Sequence, residues 1–208
     1  MLSIHGLKKY YGSFEALNVP ELELSKGIYW VKGINGSGKT TLLKILAGIL
    51  TYEGKVLLDE FEITKNAVDY RARVNYAEAE PLYPGFLTGR ELVEFYKKVK
   101  KGDSSKTDEL LARFGVNKFY DKKVGTYSSG MRKKLSLVLA FVGRPEWILL
   151  DEPLVTLDTQ SVPILSEIIN EYQTEGVSFL LTSHQSLLIP DLQITREIIV
   201  ENKTACFK

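Results

Sequence analysis

Eight residues, Gly33-Ile34-Asn35-Gly36-Ser37-Gly38-Lys39-Thr40, constrain this chain more than any other stretch. Glycine, four residues, then Gly-Lys-Thr is the spacing of a phosphate-binding loop. An apolar β-type run, Ile28-Tyr29-Trp30-Val31, precedes it, and a helix-forming run, Thr41 to Ile49, follows. The three glycines let the backbone take φ > 0 and approach a ligand closely. Successive N–H groups then converge on an anion, with the positive end of the next helix behind them. In this pattern Lys39 reaches the β- and γ-phosphates, and the Thr40 hydroxyl can ligate Mg²⁺. A glycine-rich turn with a surface lysine is the bland alternative, and the complete motif in strand–loop–helix context argues against it. The ligand implied is a nucleoside triphosphate.

Composition narrows the classes. With 208 residues, 44% hydrophobic and 25% charged, the chain is long enough to bury a sizeable core. A formal net charge of +1 gives no basic footprint of the kind nucleic-acid binders show. The one cysteine, Cys206, excludes an internal disulfide framework and fits a reducing compartment. Met1-Leu2-Ser3-Ile4-His5 lacks the charged and apolar regions of a signal peptide. No apolar stretch approaches the roughly 18 residues needed to span a bilayer, so any membrane role is expected to go through a partner.

Along the chain, 2–7, 17–24 (interrupted by Pro20) and 28–32 are expected as short strands. Leu7-Lys8-Lys9-Tyr10-Tyr11-Gly12 is expected as a loop carrying two aromatic rings. Further short strands are predicted at 55–58 and 73–76. Two prolines within Pro81-Leu82-Tyr83-Pro84 exclude regular structure there. Thr88-Gly89-Arg90-Glu91 fits a capping box opening a helix to about Lys101. A second helix is expected over 104–114, closed by Gly115, and a third from Ser128 or Ser129 to about Val142. Residues 78–145 therefore read as a mainly helical insert. After it, Trp147-Ile148-Leu149-Leu150 has the look of a strand buried on both faces, ending at Asp151-Glu152-Pro153. A helix over 161–173, a buried strand over 177–181 and a hairpin around Asn202-Lys203 complete the chain.

Two consecutive carboxylates at a strand end supply the other half of a phosphoryl-transfer site. Asp151 could hold Mg²⁺ directly or through water, and Glu152 could polarise a water in line with the γ-phosphate. Alone, such a pair is more often a capped turn. Beside the glycine loop it becomes a site.

At this point the sequence resembles the ATP-binding-cassette (ABC) ATPases, over nearly the whole chain. The resemblance rests on order: GINGSGKTT, then YSSGM, ILLDEP, VTLD and TSH. It implies an α/β P-loop NTPase core of ABC type (1–77 and 146–208) with an antiparallel β-subdomain and a helical insert at 78–145. It also implies ATP and Mg²⁺ as cofactors. Asn35, Gly36, Ser37, Gly38, Lys39, Thr40 and Thr41 would cradle the phosphates, and Tyr11 would stack on adenine, with Tyr10 the neighbour to test next. Tyr127-Ser128-Ser129-Gly130-Met131 resembles the family signature LSGGQ, matching at Ser128 and Gly130. In the family this loop presents a helix start to the γ-phosphate held by the other subunit; an ordinary Ser N-cap is the simpler reading. Asp158 resembles the residue that contacts the opposite subunit, and it would also serve as a helix N-cap. His184 resembles the histidine that bonds the γ-phosphate.

The sequence departs from the family where a glutamine usually approaches Mg²⁺ and the attacking water. Here the segment is Tyr76-Ala77-Glu78-Ala79-Glu80-Pro81. Counting back from Leu82-Tyr83-Pro84 favours Glu78 as a metal contact, counting from the preceding strand gives Ala79, and Glu80 is also possible.

The resemblance further implies a dimer, of two copies or of this chain with another cassette, closing on two Mg·ATP and reopening on hydrolysis. That motion would drive transmembrane permease subunits docked around residues 78–100, with this chain peripheral on the inner face of the cytoplasmic membrane. The short length is similar to small bacterial export ATPases, including haem-exporter-like ones. The alternative is a non-transport ABC ATPase acting on nucleic acid or ribosomes, which would carry two cassettes, a coiled-coil insertion or a basic face. No nucleic-acid partner is therefore expected. A P-loop kinase or GTPase would leave YSSGM unexplained.

Overall fold

The computed structural model describes residues 1–183 and 189–208. The chain begins with β1 (Leu2–Tyr11), β2 (Phe14–Leu24), β3 (Ile28–Lys32), α1 (Lys39–Leu46), β4 (Glu53–Leu58) and β5 (Phe61–Glu62). Next come α2 (Ala67–Arg73), β6 (Val74–Ala77), α3 (Gly89–Lys100), α4 (Ser104–Arg113) and α5 (Ser129–Phe141). Last are β7 (Trp147–Leu150), α6 (Ser161–Thr174), β8 (Ser178–Ser183), β9 (Arg196–Glu201) and β10 (Thr204–Phe207).

The strands make two sheets. One is antiparallel, in the order β2-β1-β4-β5; the other runs β10-β9-β3-β8-β7-β6 and is parallel from β9 to β6. β7 is buried along its whole length, and β8 everywhere but its last residue, as their apolar sequences require. The parallel sheet is a wall between two cores, because a strand sends alternate side chains to opposite faces. Ile148, Leu150, Phe179 and Leu181 pack toward the helices α3 to α6. Trp147, Leu149 and Leu180 pack toward α1 and the antiparallel sheet.

The helical expectations hold closely. Thr88 caps α3 with a complete capping box: its side chain accepts from the Glu91 N–H and the Glu91 carboxylate accepts from the Thr88 N–H. Ser128 caps α5, accepting from the Met131 N–H at 3.2 Å. The Asn75 side-chain amide, buried, clips the far end of α5 to β6 by donating to the carbonyls of Ala140 (2.8 Å) and Val142 (2.9 Å). At the closing hairpin, Asn202 and Lys203 both take left-handed φ, 48° and 66°, as a two-residue primed turn demands.

Two local expectations need correction, and one helix has no sequence signal strong enough to predict it. Residues 8–11 are not a loop: β1 continues to Tyr11, which pairs with Phe14 across the two residues Gly12 and Ser13. Two lysines and two tyrosines in a row obscure the strand because Lys9 is turned inward, its ammonium donating to the Thr51 carbonyl at 2.7 Å. Pro20 does not interrupt β2, since β2 is the outer strand of its sheet and Pro20 falls opposite Gly6, where the ladder skips a pairing. The helix α2 between β5 and β6 has too weak an apolar pattern to announce itself; Tyr70 is its one buried residue.

Candidate functional site

Parallel pairing puts the C-terminal ends of β3, β6, β7 and β8 along one edge of the sheet. Lys32 is level with Ser183, and Leu150 is level with both Ala77 and Leu181. The described segments that follow β3, β6 and β7 therefore set out from one edge, the usual place for a ligand in an open α/β sheet.

The glycine loop follows β3. Gly36 and Gly38 adopt φ of 80° and 108°. Gly33 does not have positive φ, and its need for glycine is spatial. A Cβ there would lie 2.4 Å from Ser37 Oγ and 2.5 Å from the Val200 carbonyl of β9. Both causes meet at Gly38, where a Cβ would also fall 2.7 Å from Leu17 Cδ2. Lys39 opens α1 and is buried; its ammonium donates to the carbonyls of Gly33 (2.7 Å) and Ile34 (3.1 Å) and so closes the loop beneath it. Ser37 Oγ is buried with no protein hydrogen-bond partner, the condition of a polar atom that lacks a ligand.

Asp151 and Glu152 follow β7. Asp151 is buried, and its two oxygens are oriented by hydroxyls: Thr182 Oγ1 donates to Oδ1 at 2.7 Å and the Tyr76 phenol donates to Oδ2 at 3.2 Å. Burial, then the Asp151 charge, raises the Tyr76 pKa far above that of a free phenol, so Tyr76 stays a donor. Glu152 has φ 44°, a left-handed conformation uncommon for this residue type, and its N–H donates to Thr182 Oγ1 at 2.8 Å.

A cavity of about 460 Å³ brings most of the candidates together, with Ser37 and Asp151 outside its lining. Tyr11, Asn35, Gly36, Gly38, Lys39, Thr40, Thr41 and Glu152 line it, joined by Phe14, Ala16, Ala79, Glu80 and Val155. Tyr11 is half exposed, and the Lys9 ammonium lies 5.0 Å from its ring centre. Phe14, missed in the sequence, stands directly across the turn from Tyr11; reading 8–12 as a loop hid that pairing.

Glu78 is placed elsewhere. Its carboxylate lies 3.8 Å from the Lys44 ammonium and lines a separate groove, while Ala79 and Glu80 face the loop. Of the three alternatives, Ala79 and Glu80 therefore line the cavity beside the glycine loop and Glu78 does not.

Ser128, Gly130 and Asp158 gather at another edge. Gly130 abuts the Thr156 carbonyl. Asp158 Oδ2 meets the Lys134 ammonium of α5 at 2.6 Å, and its Oδ1 accepts from the Ser161 N–H and hydroxyl at the start of α6. Lys134 holds the Asp158 carboxyl below its ordinary pKa. None of the three lines the cavity around the glycine loop. His184 lies outside the described residues.

A residue no motif pointed to joins these parts. Lys133, wholly buried in α5, donates to the carbonyls of Glu78 (2.9 Å), Ala79 (3.3 Å) and Asp151 (3.1 Å). Burial pulls its pKa down to about 8, against the Asp151 and Glu152 carboxylates, which favour the ammonium. A signal existed: Lys133 precedes Leu137 by four residues and Ala140 by seven, on a buried face of the helix.

Asp151 and Thr40 offer only oxygen donors, the set that suits Mg²⁺. Among the described residues no three His, Cys, Asp or Glu side chains converge, so a cation here would take its other ligands from phosphate and water.

Residues 17–155 match the family model described as ABC transporter. A shorter stretch, 123–189, also matches one described as AAA domain, putative AbiEii toxin, Type IV TA system. The chain is 33% identical over 205 residues to the uncharacterized ABC transporter ATP-binding protein YdbJ of Bacillus subtilis (strain 168), covering 97% of this chain and 66% of that one, just under two thirds of its length. It is 30% identical over 186 residues to the lantibiotic transport ATP-binding protein SrtF of Streptococcus pyogenes, covering 88% and 80%. A solved structure described as an ATP binding subunit of an ABC transporter shares the fold at a TM-score of 0.89 and 22% identity, over 100% of this chain and 89% of that one. The chain belongs to the ATP-binding cassette family, the ATPases of ABC transporters.

Proposed function

We propose that this chain binds and hydrolyses Mg·ATP as the cassette of a transporter, by closing with a second cassette. The observation that carries the reading is a division. The glycine loop, Tyr11 and Glu152 line one cavity, whereas Ser128 heads a helix that does not contribute to it. A second subunit offering its own Ser128 and Gly130 would complete the site, with a hydroxyl and helix-start N–H groups facing the γ-phosphate.

In this reading Lys39 and the loop N–H groups hold the phosphates, with Asn35, Ser37 and Thr41 alongside, and Tyr11 stacks on the base. Thr40 and Asp151 would hold Mg²⁺, which would neutralise phosphate charge when bound. Glu152 orients the attacking water and takes its proton. Asp158 positions the 155–158 turn against α5 of its own subunit and meets the partner across the interface.

Transmembrane permease subunits are the partners. Their seat is the groove between α2, α3, β6 and α5, about 570 Å³, where Val68, Leu82, Phe95 and Val99 are apolar and exposed. Among the described residues no helix is long and apolar enough to cross a membrane. In this reading the working place is the membrane's inner face, reached through those partners, with 78–145 moving as a unit during closure. A relative named for cytochrome c biogenesis export supports export as the direction. A relative named for spermidine/putrescine import is the counterexample that transport assays must address. Action on nucleic acid finds no support in these relatives.

Light scattering of Glu152→Gln tests the mechanism. Mg·ATP should double its mass in solution, and ADP should not. A variant that binds ATP yet stays monomeric at all concentrations would refute closure between two copies.

A further inference from the structure

Lys133 has a geometry that the roles above do not use. An ammonium has three donors, and all three are directed at main-chain carbonyls. Two of those belong to the segment leaving β6 and one to the residue leaving β7. The two strands are paired up to Ala77 and Leu150, and the Asp151 N–H still bonds the Ala77 carbonyl at 2.9 Å. Beyond that point the chains diverge, one toward Ala79 and Glu80 in the cavity wall, the other toward Glu152. Lys133 is the pin at the fork. Its own helix begins at Ser128, little more than one turn away.

A buried cation is expensive to desolvate, and an apolar side chain of similar length would fill the same volume. What an apolar residue cannot do is fix three carbonyls relative to the helix. We infer that Lys133 is a positioning residue: it holds Asp151-Glu152 and the 78–80 segment in register with the helix opened by Ser128, so that water activation in one site and presentation of Ser128 to the other are set together. The inference rests on Glu152 acting as proposed above.

The test uses Lys133→Met in the full chain, with three readouts: ATPase kcat, equilibrium binding of Mg·ADP, and the protein concentration at which Mg·ATP dimerises the Glu152→Gln background. A small misplacement of reacting groups costs far more rate than affinity. The expected result is a kcat lowered at least about tenfold, Mg·ADP affinity within about threefold of wild type, and a dimerisation midpoint raised at least about tenfold. A cooperatively melting Lys133→Met with unchanged kcat and midpoint would overturn the inference. So would parallel loss of kcat and Mg·ADP affinity, the mark of a general prop. If Lys133→Met does not melt cooperatively, Lys133→Arg is read instead. It keeps the charge but sets its donors in a planar fork, so kcat should fall with Mg·ADP affinity retained, and wild-type kcat would overturn the inference. Wild-type turnover by Glu152→Gln alone would overturn the assignment of Glu152 and this inference with it. Lost turnover there beside an unaffected Lys133→Met would overturn this inference only.

Discussion

The Thr182 hydroxyl donates to Asp151 Oδ1 at 2.7 Å while accepting the Glu152 N–H at 2.8 Å, so one buried side chain near the end of β8 fixes the Asp151 carboxylate and the Glu152 main chain just past β7. The second bond helps hold Glu152 in its left-handed conformation. Thr182→Val keeps the shape and removes both bonds. We expect kcat to fall at least about tenfold with ATP affinity little changed. Stability should drop by about 1–3 kcal/mol, the cost of a buried group left unpaired. Thr182→Ser should restore most of each, and a Thr182→Val enzyme of normal rate would show that Glu152 holds its place without help.

Tyr11 and Phe14 face the cavity from the two sides of one turn. Stacking of a ring on a base contributes about 0.5–1.5 kcal/mol, so Tyr11→Ala should raise the ATP dissociation constant by roughly two- to tenfold. Tyr11→Phe should leave it unchanged, because the ring face does the binding. Titration calorimetry on these two variants and Phe14→Ala assigns the stacking ring: if Phe14→Ala has the larger effect, the base lies on Phe14.

Lys100 donates to the carbonyls of Arg71 and, at 3.1 Å, Val74. Burial, then the Arg71 charge, lowers its pKa to about 8 from about 10.5. Between those values the unfolded chain binds a proton that the folded chain has released, so stability rises with pH. The contribution is complete above the unfolded value and is lost as pH falls through 8. Lys100→Met removes it. The melting temperature of wild type minus that of Lys100→Met should increase from pH 7.5 to pH 10, a difference in which the titrations of shared tyrosines cancel. A constant difference would mean the ammonium is solvated.

At the closing hairpin Lys203 has φ 66°. A side chain in this region costs about 1 kcal/mol or more that glycine avoids. The Asn18 N–H bonds the Lys203 carbonyl at 2.6 Å, a contact that survives a change of side chain. Lys203→Gly should therefore stabilise the chain by about 1 kcal/mol, read as a shifted denaturant midpoint at constant slope.

Thr88→Ala removes the cap of α3 and should cost about 1 kcal/mol. Chemical denaturation checks it, and because Thr88 lies outside the cavity, ATP affinity should not change.

Most of the architecture is local in origin and can be read from the residues. Helices announce themselves by caps, as at Thr88 and Ser128, and buried strands by short apolar runs, as at 147–150. The glycine loop is legible because it brings strand, turn, cation and hydroxyl within one short segment. The order of motifs along the chain was enough to place it among the ABC ATPases. Tertiary structure decided what depends on partners distant in sequence. Lys8 to Tyr11 became strand because β2 and Thr51 were there to pair with them. Glycine was required at 33 because the Val200 carbonyl, 167 residues later, occupies the space of a side chain. Glu78 turned to Lys44 and left Glu80 facing the loop. Lys133 carries no motif, and only the packed structure brings the three carbonyls around it. Propensity and capping act within a few residues of chain, so sequence expresses them directly. Burial and convergence exist only once sheet and helices have packed, and those decided which side chains share the site.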